Sequence, residues 1–499
     1  MNFDVQSGAP LELSTQCLVV PVFQNEELSG VAAELDTRLD GLVREVKNDD
    51  GFKGACGETR VLYTNGKIAS SRVILVGLGK REKISATTIR KAAAKAARGV
   101  RALKRDSFAF VVPDGIGETS ESLAVALAEG IVLGLHIFDD FKTDAESKAR
   151  TVINNVTLLV DSGEERENVA RGVEYAQITT AANLRTRHLV NTPSNLKWPQ
   201  TLADEAQKIA DENGLRCTIW DENRIQAERM GALWGVGMGS DKPPRFIILE
   251  HIPQGMENEP PLILVGKGMT FDTGGYSLKP STSMEDMKDD MGGAAAVLGA
   301  MSVIGQLKPQ RRIMALVASA ENMVNGHAQR PGDIVTARNG KTIEVLNTDA
   351  EGRLILADTL SYATEQKPAA IIDMATLTGA IGIALGQEAA GLFTNNDELG
   401  EKVRAAGEAV GERVWPFPMW DEYREHVKGT ASDIKNIGIE RRAGSIAGAV
   451  FLEHFVGEGI PWVHLDIAAV AFLREDRPLV QRGATGFGAR LILELLRTL

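Results

Sequence analysis

The stretch Asn347–Leu354, which reads Asn-Thr-Asp-Ala-Glu-Gly-Arg-Leu, constrains this chain more than any other. It places the carboxylates of Asp349 and Glu351 two residues apart, and an extended segment would point both to one side. The apolar run 342–346 predicts a strand before it, and 354–360 predicts a helix after it. The pair is thus predicted at the carboxyl end of a strand, where open α/β sheets place ligands. Taken alone, it fits a solvated turn as well as a metal site.

The composition is typical of a soluble globular protein. Of the 499 residues, 43% are hydrophobic and 24% are charged, and this length predicts two or three domains. No window approaches about 18 uninterrupted apolar residues, and no basic segment precedes an apolar core at the N-terminus. We therefore expect neither a membrane span nor a secretory signal. Three scattered cysteines, Cys17, Cys56 and Cys217, suit a reducing cytoplasm and form neither a disulfide framework nor a zinc-thiolate site.

Alternating strand-like and helix-like runs predict an α/β fold with two domains, each a mostly parallel sheet flanked by helices. Residues 1–163 predict an N-terminal, macro-like α/β domain, 164–189 a long connecting helix, and 190–499 a catalytic domain. The predicted strands are 17–22, 73–77, 108–112, 156–160, 216–219, 246–250, 262–265, 313–317, 370–374 and 463–467. The predicted helices are 89–103, 121–134, 293–304, 354–364, 443–456 and 489–496.

Two further stretches of the second domain carry candidate chemistry. After the strand predicted to end at Val265, residues 266–280 form a glycine-rich segment with Lys267, Asp272 and Lys279. Glycines at a strand exit allow close backbone approach to a bound group. The acidic run 285–290 then precedes a small-residue helix. By itself that run fits a solvated helix start equally well.

Together, these two stretches and the motif at 347–354 resemble the signature of the leucyl aminopeptidase family, in particular its bacterial aminopeptidase A group. The resemblance covers most of residues 190–499, with the motifs in the family's order and spacing. It implies a metal-dependent exopeptidase that releases N-terminal residues, preferentially Leu-like, from peptides with a free α-amine. It also implies a homohexamer that serves intracellular protein and peptide turnover in the cytoplasm.

The resemblance implies two divalent metal ions bridged by Asp272 and Glu351. One metal would add Asp349, and the other would add Lys267 and Asp290. Four carboxylates offset the charge of two dications, and oxygen ligands suit Mn²⁺, which we favour, as well as Zn²⁺, Mg²⁺ or Co²⁺. Because an ammonium has no lone pair, Lys267 would have to bind as a neutral amine.

The remaining roles also follow from the resemblance. Lys279 would stabilise charge that develops on the carbonyl oxygen. Arg353 would hold a bicarbonate, together with backbone near Ala350, Gly352 and Leu377. The pocket for the first side chain and the groups that hold the peptide are expected at Met287, Thr376, Leu377, Gly379, Ala468 and Ala471. For Met287 and the alanines, ordinary core packing stays an open alternative.

Two other functions deserve comparison with this interpretation. A Ser-His-Asp enzyme is not supported, because His327 and His464, the histidines nearest the motifs, have no evident nucleophilic partner. Some bacterial members of the family also bind DNA, which leaves an accessory role in recombination or transcription control as an alternative. Its one supporting feature is a basic helix that a solvated face explains as well, with Arg90, Lys91, Lys95, Arg98 and Arg101. The net charge of −12 weighs against it.

Overall fold

The structure is a computed structural model, and it describes residues 1–48, 51–114, 116, 119–439 and 442–499. The chain forms two compact units. The first unit comprises Met1–Thr180 and Glu475–Gln481, and the second comprises Ala181–Arg474 and Arg482–Leu499. Both combine helices with a largely parallel sheet, which confirms the predicted α/β class. The limits 1–163, 164–189 and 190–499 stay predictions.

The first unit contains a six-stranded sheet. Its strands are β1 (Asn2–Ser7), β2 (Leu18–Phe23), β3 (Thr59–Tyr63), β4 (Arg72–Gly79), β5 (Ser107–Val111) and β6 (Asn155–Val160). Their order is β1-β6-β5-β2-β4-β3, and only β3 runs antiparallel to its neighbour. The helices are α1 (Gly30–Arg38), α2 (Leu42–Asn48), α3 (Ala86–Ala102), α4 (Ser120–Leu135), α5 (Ala145–Lys148) and α6 (Gly163–Asn191), which continues into the second unit, with 3-10 turns at Pro10–Glu12 and Arg81–Lys83.

Of the basic residues on helix α3, Lys91 and Lys95 are exposed, whereas the arginines make contacts within the first unit. Arg90 is buried, and its Nε lies 2.6 Å from the buried Glu129 carboxylate on α4. Arg98 and Arg101 donate to main-chain carbonyls at the end of α4, at 2.7 and 2.8 Å. The two helices can approach this closely because residue 130 is glycine. A Cβ at Gly130 would lie 2.3 Å from the carbonyl oxygen of Arg90 on α3. The arginines of this helix therefore hold the first unit together.

The second unit contains an eight-stranded sheet in the order β15-β14-β17-β13-β9-β10-β8-β7. Strands β17, β13, β9 and β10 are mutually parallel neighbours at its centre. The strands of the sheet are β7 (Arg216–Trp220), β8 (Arg245–His251), β9 (Leu262–Asp272), β10 (Ile313–Asn322), β13 (Ala370–Ala375), β14 (Ala390–Thr394), β15 (Val414–Pro416) and β17 (Trp462–Asp466). Two small sheets are formed by β11 (Asp333–Thr336), β12 (Thr342–Val345) and β16 (Ile434–Lys435), and by β18 (Phe472–Leu473) and β19 (Gly483–Ala484).

Helices cover this sheet. They are α7 (Pro199–Asn213), α8 (Glu222–Ala227), α9 (Gly231–Gly237), α10 (Ser281–Met284), α11 (Gly292–Met301), α12 (Ile304–Leu307), α13 (Gly352–Glu365), α14 (Gly379–Leu385), α15 (Asp397–Val410), α16 (Asp421–Arg424), α17 (Gly444–Glu453) and α18 (Ala489–Thr498), with 3-10 turns at Met287–Asp289 and Glu425–Val427. The stretch Ser281–Leu307 is long and apolar enough to cross a membrane by composition, but 83% of its most apolar 18-residue window is buried, and the stretch is broken into several short helices.

Two local expectations are corrected by the structure. The strand before the acidic motif, β12, belongs to a three-stranded side sheet and not to the main sheet. The segment from Gly266 to Asp272 is not a loop, because β9 continues to Asp272. A Cβ at Gly266 would lie 2.6 Å from the Cα of Ala294, so glycine lets helix α11 pack directly onto the strand.

Candidate active site

The predicted site residues meet at one edge of the main sheet. Strands β9, β10 and β13 are parallel neighbours, so their carboxyl ends, Asp272, Asn322 and Ala375, lie at the same edge. Helix α13, which follows the acidic motif, packs against β9 and β10. The motif therefore reaches the sheet edge through its helix, although the strand before it lies elsewhere.

Three buried carboxylates form the centre of the site. Asp272, Asp290 and Glu351 each offer an oxygen, and these oxygens lie within 4.8 Å of one another. Asp290 Oδ2 and Glu351 Oε2 have no hydrogen-bond partner among the described residues. Buried carboxylate oxygens are costly without a partner, and hard divalent cations prefer such oxygens. The residues therefore fit a cation site.

Lys267 lies inside this cluster. Its Nζ lies 2.7 Å from Asp290 Oδ1 and 2.9 Å from Glu351 Oε1, and it donates to the carbonyl oxygen of Thr376 at 2.8 Å. Burial by itself lowers the pKa of Lys267, but the carboxylates around it outweigh burial and raise that pKa above its ordinary value. Here the ammonium neutralises part of the cluster's negative charge.

Lys279 links the central cluster to the fourth carboxylate. Its Nζ donates to Asp272 Oδ2 at 2.5 Å and also to Asp349 Oδ1. Burial lowers the pKa of Lys279, whereas the nearby carboxylates, Asp272 first, raise it by more. Lys279 is less deeply buried than Lys267, with 14% against 3% of its side chain exposed, so it lies on the open side of the cluster.

Burial also raises the pKa values of the acidic residues. The pKa of Asp290 lies well above its ordinary value because burial outweighs the ammonium of Lys267. For Asp272 and Asp349, burial is again the largest cause of a raised pKa, and the neighbouring lysines oppose it. Buried carboxylates with pKa values shifted in this way are typical of a functional site.

The predicted extended geometry of Asp349 and Glu351 is wrong. Residues 348–349 form a turn, and Glu351 already has helical backbone angles, φ −75° and ψ −36°, as the residue that precedes α13. The two carboxylates consequently pair with different lysines, Asp349 with Lys279 and Glu351 with Lys267. The early helix start is the physical reason, because it turns the chain within the motif.

Two buried asparagines that the sequence analysis missed fix the motif. Asn322 donates to Asp272 Oδ1 at 2.8 Å and to the carbonyl oxygen of Thr348 at 3.0 Å. Asn436 accepts from the N–H of Leu346 at 2.9 Å and donates to the carbonyl oxygen of Asn347. Asn322 ends β10 at the same sheet edge as Asp272, which was a usable signal, whereas Asn436 directly follows the two-residue strand β16, which the sequence analysis did not predict.

A side chain at Gly352, directly after the acidic pair, would displace the end of the Lys267 side chain. A Cβ there would lie 2.5 Å from Cε and 2.6 Å from Nζ of Lys267, far inside any normal contact. Gly274 is constrained in a similar way, since it has φ +85° and a Cβ would lie 3.0 Å from Asp349 Oδ1. The two glycines let the lysine and carboxylate side chains occupy the centre of the site.

Arg353 lies beside this centre. Its Nη1 donates to the carbonyl oxygen of Asn436 at 2.8 Å, and its buried Nε has no hydrogen-bond partner among the described residues. Burial lowers the pKa of Arg353 to about 10, opposed by Glu351 and Asp466. Gly448 brings Arg353 and Leu377 together, since a Cβ there would lie 3.5 Å from Arg353 Nη2 and 3.0 Å from Leu377 Cδ2.

The predicted pocket residues lie around the same edge. Thr376 is closest to the cluster, because its hydroxyl donates to Asp290 Oδ1 at 2.8 Å. A Cβ on Gly292 would lie 3.2 Å from both Thr376 and Ala471, which places these two side chains together. The remaining predicted residues are the half-buried Met287 in a 3-10 turn, the half-buried Leu377, the exposed Gly379 at the start of α14, and the half-buried Ala468 after β17.

His464 is part of the core and not of a nucleophilic triad. It is fully buried, and its Nδ1 lies 2.5 Å from Asp373 Oδ1 on the neighbouring strand. Its Nε2 contacts no hydroxyl or thiol by hydrogen bonding within the described part of the chain. Burial lowers the pKa of His464, but Asp373 and Asp466 together outweigh burial and raise that pKa, so the ring pairs as a cation more readily than an ordinary histidine.

Comparison with known proteins identifies the family of this chain. The sequence profile of the cytosol aminopeptidase family, catalytic domain, matches residues 184–493, and that of the family's N-terminal domain matches 19–145. The chain belongs to the cytosol aminopeptidase family. This confirms the resemblance seen in the motifs, and the chain is accordingly a metal-dependent aminopeptidase.

The similarity to known proteins extends over the whole length of the chain. A probable cytosol aminopeptidase of Desulfovibrio desulfuricans is 42% identical over 507 residues, covering 100% of this chain and 99% of the relative. A mutant of tomato leucine aminopeptidase has a TM-score of 0.90 and 36% identity, covering 100% of this chain and 97% of the other. The bottromycin maturation enzyme BotP in complex with Mn has a TM-score of 0.84 and 33% identity, covering 97% and 99% of the two chains.

Proposed function

We propose that this aminopeptidase uses two divalent cations to release N-terminal residues, preferentially Leu-like, from peptides with a free α-amine. The observation that supports it most is the set of three buried carboxylates with two unpartnered oxygens, Asp290 Oδ2 and Glu351 Oε2. These two oxygens have no hydrogen-bond donor among the described residues, and hard divalent cations bind carboxylate oxygens of this kind.

The proposed ligands are five. Asp272 and Glu351 would bridge the two cations, Asp349 would complete one site, and Lys267 with Asp290 would complete the other. We favour Mn²⁺, because BotP has been described in complex with Mn, over Zn²⁺, Mg²⁺ and Co²⁺. When bound, the cations would activate a water and polarise the scissile carbonyl.

The two lysines differ in what they could do. Lys267 is surrounded by carboxylates that raise its pKa, so it could act as a neutral ligand only after cations offset that negative charge. Lys279 stays charged and lies on the open side between Asp272 and Asp349, where a substrate carbonyl would approach. We therefore assign to Lys279 the stabilisation of negative charge on that oxygen.

Arg353 is proposed to hold a bicarbonate. Its guanidinium is buried, with Nε unpartnered among the described residues, and Leu377 lies beside it. An anion there would give the guanidinium a charged partner and satisfy the free donor. Backbone of Ala350 and Gly352, on either side of Glu351, would complete this site, from which the anion could transfer protons.

Small and apolar residues around the proposed pocket support the Leu-like preference. Thr376 and Ala471 lie together near Gly292, Thr376 bonds to Asp290, and the proposed wall is completed by Leu377, Gly379, Ala468 and Met287. A homohexamer in the cytoplasm that acts in peptide turnover belongs to the same proposal. We do not propose DNA binding, because the arginines of the basic helix are engaged within the first unit.

Removal and replacement of metal test this function. Metal-stripped protein should be inactive on leucyl-p-nitroanilide, and each of Mn²⁺, Zn²⁺, Co²⁺ and Mg²⁺ can then be added alone while bound metal is counted. Acetyl-leucyl-p-nitroanilide is the matched control, since its α-amine is blocked. Restored activity with two ions per chain on the free amine alone is expected, and efficient cleavage of the acetylated compound would contradict the exopeptidase proposal.

A further inference from the structure

A buried carboxylate outside the proposed metal site contacts both segments that carry the proposed pocket. Asp466 is the last residue of β17 and is fully buried. Its Oδ1 accepts from the N–H groups of Leu377 at 3.2 Å, Thr378 at 3.3 Å and Ala468 at 3.2 Å. Its Oδ2 accepts from the Thr378 hydroxyl at 2.6 Å. The Asp466 side chain thus joins the loop after β13 to Ala468, two residues after the end of β17.

The peptide group between Thr376 and Leu377 is held from both of its ends. Its carbonyl oxygen accepts from Lys267 Nζ at 2.8 Å, and its N–H donates to Asp466 Oδ1 at 3.2 Å. In a trans peptide the C=O and N–H groups point in opposite directions, so the Lys267 donor and the Asp466 acceptor lie on opposite sides of one planar unit. Both hydrogen bonds favour the same orientation of that plane.

This orientation also fixes the side chains on either side. The Thr376 hydroxyl bonds to Asp290, and the Leu377 side chain lies near Gly448 beside Arg353. The Thr378 hydroxyl lies 2.6 Å from the Ser445 hydroxyl at the start of α17, which anchors the loop a second time. Because the N–H groups of Leu377 and Thr378 both donate to Asp466, the shape of the loop depends on partners outside it.

We propose that Asp466 is a positioning residue that sets the shape of the pocket for the substrate's first side chain. It acts through the Thr376–Leu377 peptide group on one wall and through Ala468 on the other, and it touches neither substrate nor cation. The inference rests on the proposed function, in which these residues form that pocket. It assigns substrate selectivity to a residue that lies behind the pocket.

The test compares two substitutions at one position. Asp466→Ala removes the acceptor of the hydrogen bonds that Leu377, Thr378 and Ala468 donate to Asp466. Asp466→Asn keeps an amide oxygen for the N–H groups, and its NH₂ can donate to Thr378, whose hydroxyl can then donate to Ser445. Both are assayed with metal added in excess, and kcat/KM is measured on glycyl-, alanyl-, leucyl- and phenylalanyl-p-nitroanilides.

The expected result is a change of profile in one variant only. In Asp466→Ala the ratio of kcat/KM values between large and small side chains should shift about tenfold, the scale of altered contact with one or two methylene groups. Asp466→Asn should keep the wild-type ratios within about twofold, since the acceptor geometry is retained. Glu412→Ala is the control, because it removes a buried carboxylate elsewhere that accepts from the backbone N–H groups of Gly488 and Leu491 and also pairs with Arg490.

A wild-type profile in folded Asp466→Ala would overturn the inference, as would an equal shift in Glu412→Ala. If Asp466→Ala does not fold, Thr378→Val decides, because it removes only the hydroxyl between Asp466 and Ser445. A ratio shift of about threefold would support the inference, and unchanged ratios would overturn it. The wild type's best substrate tests the Leu preference separately, since the inference concerns the change in profile and not its maximum.

Discussion

Each unit buries a glutamate against a basic side chain, and the two burials differ in how completely the glutamate is paired. In the first unit, Glu129 uses both oxygens, since Oε2 accepts from Arg90 and Oε1 from the Thr179 hydroxyl. In the second unit, Glu351 contacts Lys267 through Oε1, and Oε2 has no partner among the described residues. A fully paired buried charge holds a fold together, whereas a partly paired one marks a place for a ligand.

The sharpest way to break this comparison is to remove the fully paired glutamate. Glu129→Ala leaves Arg90 as a buried charge without its carboxylate, so we expect a loss of about 3–5 kcal/mol in the free energy of unfolding of the first unit. Chemical denaturation measures it. Glu121→Ala is the control, because the Glu121–Arg171 pair is exposed and should contribute less than about 1 kcal/mol. Equal losses in the two variants would contradict the structural role of Glu129.

The partly paired glutamate should behave in the opposite way. Glu351→Ala removes a proposed bridging ligand, so we expect turnover to fall roughly a hundredfold or more and bound metal to decrease. Thermal unfolding of the metal-free variant should be no less cooperative than that of the metal-free wild type. Metal counting and kcat on leucyl-p-nitroanilide check the prediction. Two metals bound with near-normal turnover would remove Glu351 from the site.

The two lysines sharpen the comparison, because only Lys267 lies between Asp290 and Glu351, the carboxylates that each have one oxygen without a partner among the described residues. Lys267→Ala should weaken metal binding at one site, with activity partly restored by excess metal. Lys279→Ala should keep both metals and lose kcat on the order of a hundredfold. Lys279→Arg should retain some rate, whereas Lys267→Arg should not, because guanidinium cannot supply a neutral nitrogen. Equal metal content and equal rates in all four variants would show that both lysines are only neighbouring charges.

The smallest expected effect concerns His464, a buried base that is paired on one nitrogen only. Because Asp373 raises the pKa of His464 in the folded protein, its stabilising contribution is complete below the unfolded value of about 6.5 and is lost as pH rises through the raised folded value. The difference in unfolding free energy between wild type and His464→Gln should therefore be larger at pH 5.5 than at pH 8.5. A difference that grows with pH would contradict the conclusion that the charged form of the His464 ring stabilises the fold.

The main sheet of the second unit could be predicted because its central strands are continuous apolar runs, such as Ile371 to Met374. The strands Asn2–Ser7 and Thr59–Tyr63 were missed because they lie at the sheet edges and carry polar side chains. The motifs alone pointed to acidic residues that the structure brings together. The sequence could not show Asn436 or Asp466, since their roles arise only when segments about 90 residues apart in the chain are folded together.

The contact between Gly352 and Lys267 has a consequence for redesign of the enzyme. A Cβ at 352 would occupy the space of the lysine's terminal atoms, so the two positions cannot be varied independently. A library that randomises 352 alone should return glycine among its active members. A library that randomises both positions should return larger residues at 352 only where 267 has a shorter side chain. Libraries of active-site variants of this enzyme should therefore vary such contacting positions together, even when the two positions are 85 residues apart in sequence.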